Sequence, residues 1–61
     1  MYKLTQKEKI IIKYIRAGAT NAEIAQALDV QKNTIGAYIY KLCRIFDAKN
    51  RIDLVNKVKG E

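Results

Sequence analysis

Apolar residues recur along this chain at helical spacing in four separate runs. Ile11, Ile12 and Ile15 make the first, and Ile24, Ala25 and Leu28 the second. Ile35, Tyr38 or Ile39, Leu42 and Phe46 make the third, and Ile52 with Val55 the last. Spacing of this kind puts each run on one side of a helix. Start signals precede three of them. Thr5 with Glu8 and Thr20 with Glu23 form capping boxes, and Asn50 stands ahead of a helix from Arg51 to about Val58. Asp53 in the first turn of that helix and Lys57 in its last both suit the helix dipole. Leu4, just before the first cap, is placed to staple it. Gly18 supplies a left-handed residue after a helix ending at about Ala17. Asp29 to Gln31 breaks the second run, and Asp47 to Lys49 forms a turn opened by a residue that tolerates the left-handed region. The pattern predicts a compact all-α fold of four helices.

The stretch from Thr20 to Phe46 organises the rest. Its two helices are joined by a tight turn, with Ala25 one turn before the break. A small side chain there lets the second helix cross closely and steeply, as a helix-turn-helix requires, and Val30 plugs the core from within the turn. Ile10 points away from the Ile11–Ile15 stripe and Tyr14 lies along its edge. Ile10 is either a stray exposed hydrophobe or, with Tyr14, a contact patch for a protein partner. Leu54 and Val58 fall on a stripe adjacent to Ile52 and Val55, which so small a domain is short of surface to cover. Short helices apolar on more than one face often mark a subunit contact.

Composition narrows the function. A chain of 61 residues buries only ~60% of the surface it exposes when unfolded, so association would help it. It reads as a single domain over residues 1–61, with Lys59 to Glu61 frayed; Met1 at its start fits a complete small protein or an excised domain equally. No proline, three glycines and 49% apolar residues favour packed helices over sheet or disorder. The net charge is +6, and between Lys32 and Arg51 five basic residues (Lys32, Lys41, Arg44, Lys49, Arg51) face only Asp47. A cationic run of this kind is the footprint of a polyanion partner. Enzyme chemistry is not indicated: there is no histidine, no paired carboxylates on one helical face and no phosphate-loop pattern. Glu23 and Asp29 are too isolated to hold a metal, so neither metal nor cofactor is expected. Cys43 is the single cysteine and reads as a small buried hydrophobe. Without a signal-peptide pattern or a spanning apolar run, the expected location is cytoplasmic, with no membrane partner.

These spacings resemble the DNA-binding domain of the LuxR/FixJ/GerE family of bacterial transcription regulators. The resemblance is carried by Leu4-Thr5, Glu8, Gly18, Asn21, Glu23-Ile24-Ala25 and Leu28, then Thr34-Ile35, Ile39, Leu42, Asn50-Arg51 and Val55. It implies a four-helix fold, LuxR C-terminal-like and unrelated to the winged helix. Its third helix, Lys32 to Arg44, would lie in the major groove of double-stranded DNA, and its fourth would form a homodimer contact at Leu54 and Val58. Lys32, Asn33 and Thr34 would hold phosphates, and Gly36, Ala37 and Tyr40 would stand at base-reading positions. Lys41, Arg44, Lys49 and Arg51 would neutralise further phosphates. Gln31, included in this surface, takes the place of a capping serine, so the third helix is expected to start at Asn33 or begin loosely. Gly36 replaces a usual lysine, Tyr38 a common histidine and Ile10 an acidic residue. The expected function is a small dimeric DNA-binding regulator on an inverted repeat. The alternative is an interaction protein that pairs with a larger regulator through Ile10, Tyr14, Leu54 and Val58.

Overall fold

The structure, a computed structural model, describes residues 2–58. The fraying expected for Lys59 to Glu61 lies outside the described residues. Four helices follow in order: α1 (Gln6–Arg16), α2 (Asn21–Leu28), α3 (Lys32–Ile45) and α4 (Arg51–Lys57), with no strand among the described residues. Both capping boxes form. The Thr5 hydroxyl accepts from the Glu8 amide at 3.2 Å while the Glu8 carboxylate accepts from the Thr5 amide at 2.9 Å. Thr20 and Glu23 repeat the exchange at 3.1 and 2.8 Å. The Asn50 side chain accepts from the Asp53 amide at 2.9 Å to start α4.

The first three helices stop in the same way. Gly18, Asp29 and Asp47 each take a positive φ (85°, 57° and 55°). The next residue's amide then turns back to a carbonyl of the last helical turn: Ala19 to Tyr14, Val30 to Ala25, Ala48 to Cys43. This left-handed cap satisfies carbonyls that the helix leaves unpaired. It also reverses the chain within a few residues, which brings consecutive helices into contact.

Two apolar clusters fill the interior. Ile11, Ile15, Ile24, Ala25 and Ile35 form one, joining α1 to the α2–α3 pair, with Val30 packed against it from the turn. Leu4, Ile12, Leu42, Leu54 and Val58 form the other, joining the lead-in, α1, α3 and α4. The second cluster corrects the reading of the last helix. Leu54 and Val58, expected at a dimer seam, are buried in this core, whereas Ile52, expected to face inward, is 69% exposed. Leu42, Ile12 and Leu4 close over Leu54 and Val58 from three other segments. A helix of seven residues with apolar groups on two sides buries the side for which partners exist.

Candidate nucleic-acid interface

α2 and α3 cross on Ile24, Ala25 and Ile35, all buried, with Asp29, Val30 and Gln31 as the whole turn between them. Ile35 and Leu42 point inward from α3 and are fully buried. On the opposite side of α3, Asn33, Thr34, Ala37, Tyr40, Lys41 and Arg44 form one exposed stripe. The period of 3.6 residues makes those two sets face away from each other. α3 begins at Lys32 rather than Asn33; Gln31 is the cap in extended backbone, without a side-chain hydrogen bond. Gln31 and Lys32 are exposed beside the stripe, and Gly36 is half-buried on its flank.

The basic residues divide by what holds them. Lys32 and Lys49 are exposed. Arg44 places its guanidinium 5.8 Å from the Tyr40 ring centroid and donates to the Tyr40 hydroxyl at 3.2 Å. Tyr40 itself is 64% exposed, so the pair stands out from the helix as a unit. Lys41 keeps 55% of its side chain in solvent but pairs with the Glu8 carboxylate at 3.2 Å. Arg51 is half-buried and donates to the Asn21 side chain, tying the start of α4 to the start of α2. The expected phosphate-binding residues therefore lie along α3, in the turn after it and at the first residue of α4, and two of them also brace the fold.

Glu8 is the feature that cap reasoning understated. It is 1% exposed and accepts from the Tyr2 hydroxyl at 2.8 Å as well as from Thr5 and Lys41. Burial pushes its carboxyl up, but the Thr5 amide, the Tyr2 hydroxyl and the Lys41 ammonium together hold it below its ordinary value. The Glu8 carboxylate in turn raises Lys41 and Tyr2, through their hydrogen bonds to it. The signal was present in the sequence, because Glu8 continues the Ile11, Ile12, Ile15 stripe by one helical step. Cys43 is half-buried against the second core cluster, and burial raises its thiol, which suits packing rather than reactivity.

The partner patch is less extensive than its sequence suggests. Ile10 is half-buried and Tyr14 is 37% exposed, both on α1 and apart from the α3 stripe. At α4, Ile52 borders a groove that also takes in Ile15, Ala19 and Val55. Among the described residues no cluster of histidine, cysteine and carboxylate side chains is arranged to hold a metal. No helix among them is long and apolar enough to cross a membrane.

A crossed α2–α3 pair, supported by α1 and α4 and presenting one exposed polar stripe, defines a helix-turn-helix domain of the DNA-binding regulator class. Residues 2–58 match the family described as bacterial regulatory proteins, luxR family, and the chain belongs to it. It is 40% identical over 53 residues to the CsgBAC operon transcriptional regulatory protein of Escherichia coli. The probable csgAB operon transcriptional regulatory protein of Salmonella typhimurium matches equally, each alignment covering 87% of this chain and 24% of the relative. The transcriptional regulatory protein DesR of Bacillus subtilis is 32% identical over 56 residues, covering 92% of this chain and 28% of DesR. The chain thus spans about a quarter of the length of these relatives.

Proposed function

We propose that this chain acts on DNA in the bacterial cytoplasm as a transcription regulator, inserting α3 into the major groove. The observation that carries the reading is the single exposed stripe on α3, backed by a buried face and flanked by Lys32, Lys49 and Arg51. Ala37 is small enough to meet a thymine methyl, and Tyr40 can reach a base edge or a phosphate. Lys32, Lys41, Arg44, Lys49 and Arg51 neutralise phosphates, contacts that position a protein on a duplex without reading its sequence. Operon control, the role named for the E. coli and Salmonella relatives, is the role inferred here.

The same reading makes the protein a homodimer through α4. Ile52 is its exposed apolar contact, seated beside the Ile15–Ala19–Val55 groove. Two-fold pairing would set the two α3 helices ~34 Å apart, on inverted half-sites one turn apart. A mobility-shift titration at two salt concentrations tests the DNA reading. The expected result is a shift that weakens with salt, by ~0.9 in log–log slope for each phosphate neutralised. A purified chain that shifts no duplex at either salt removes this function and leaves the protein-partner alternative.

A further inference from the structure

Gly36 lies inside a fourteen-residue helix, where glycine weakens the helix relative to alanine. Two internal reasons for glycine are absent. Its φ is not positive, since Gly18 is the one glycine with that conformation among the described residues. Nor is there crowding, because a Cβ added at position 36 would meet only the Asn21 side-chain nitrogen, at an ordinary 3.9 Å. The molecule therefore carries an unfavourable residue that its own packing does not require.

Gly36 borders a groove of about 570 Å³ between α3 and the turn leading to α4. Arg44, Lys49 and Arg51 line this groove with Tyr40, against one carboxylate, Asp47. Ile39, Cys43 and Ala48 also line it. Three cations along an open groove suit a polyanionic chain. The missing side chain at its border lets such a chain come against the helix backbone itself.

We propose that Gly36 is a seat for one sugar–phosphate strand of the duplex, which enters this groove and touches the α3 backbone there. The inference rests on the DNA reading above and adds where, and how closely, the strand runs. A methyl group at position 36 would hold the strand off while strengthening the helix, so stability and binding should move in opposite directions. Because a strand backbone is the same whatever the bases, the loss should be alike on every duplex.

The experiment compares Gly36→Ala with the unaltered chain by thermal unfolding and by fluorescence anisotropy on two unrelated duplexes at low salt. The expected result is a Tm raised by about 4–8 °C and a Kd weakened roughly tenfold on both duplexes, the scale of one mismatched base pair. Equal or tighter binding by Gly36→Ala overturns the seat, and so does a loss confined to one duplex, which would assign position 36 to a base. A lowered Tm also overturns it, by showing that the fold itself needs glycine there. Failure of the unaltered chain to bind either duplex is seen without the variant, and removes the DNA reading together with the seat.

Discussion

The Lys41 ammonium lies 3.2 Å from the Glu8 carboxylate, so the residue that closes the cap of α1 also holds α3. Glu8 accepts from Thr5 and Tyr2 as well, and no buried side-chain polar atom among the described residues lacks a partner. α1 and α3 are thereby joined by a charge-assisted bond beside their apolar contacts. Breaking such a bond leaves a buried carboxylate with less compensation than its burial requires.

Acid should loosen this arrangement. Glu8 is held below its ordinary value of 4.5, so its contribution to stability is present above that value and lost as pH falls through the lowered one. Glu8→Gln should destabilise the chain at neutral pH by about 1–3 kcal/mol. The gap between the two proteins should then narrow on acidification below 4.5. Urea unfolding midpoints across that range provide the measurement, and a gap that stays constant with pH would show that Glu8 is not the titrating group.

Lys41 and Arg44 should separate in their effects. Arg44 is exposed and its guanidinium bonds to Tyr40 on its own helix, so Arg44→Ala should leave thermal stability nearly unchanged and reduce the salt slope of DNA binding by ~0.9. Lys41→Ala removes the partner of Glu8 along with the proposed phosphate contact, so it should lower Tm as well. If the two variants unfold together, the Glu8–Lys41 bond contributes nothing measurable.

Tyr40 is the exposed aromatic on the stripe with a hydroxyl able to read a base. Tyr40→Ala should change the motif recovered from a random-library binding selection. An unchanged motif with uniformly weaker binding would restrict Tyr40 to phosphate contact.

The two sides of α4 should respond oppositely. Leu54 is fully buried, and Leu54→Ala should cost about 2–5 kcal/mol. Ile52→Ala, on the exposed side, should change monomer stability by less than ~0.5 kcal/mol while weakening self-association in sedimentation experiments. Unaltered association in Ile52→Ala would place the dimer contact elsewhere.

Gly18 gives the complement to Gly36. Nothing lies within 4 Å of a Cβ added at Gly18, yet its φ of 85° should make Gly18→Ala cost about 1–2 kcal/mol through the backbone alone. Calorimetry would show it, and a neutral Gly18→Ala would mean that the turn relaxes without loss.

What could be read in the residues was local. Thr5 with Glu8, Thr20 with Glu23, Asn50, Gly18, Asp29 and Asp47 mark the helix ends, because a cap is closed by atoms only a few positions apart. Membership of the crossed pair was equally legible in Ile24, Ala25, Val30 and Ile35. Local sequence did not decide which apolar side of α4 turns inward. Ile52 and Leu54 are both hydrophobic, and the choice fell to Leu54 because Leu4, Ile12 and Leu42 converge on it from distant parts of the chain. The same holds for charge. Composition revealed a basic run, but only the fold could commit Lys41 to Glu8 and Arg51 to Asn21. Pairings across thirty or more positions depend on how whole helices meet, which no single stretch of sequence contains.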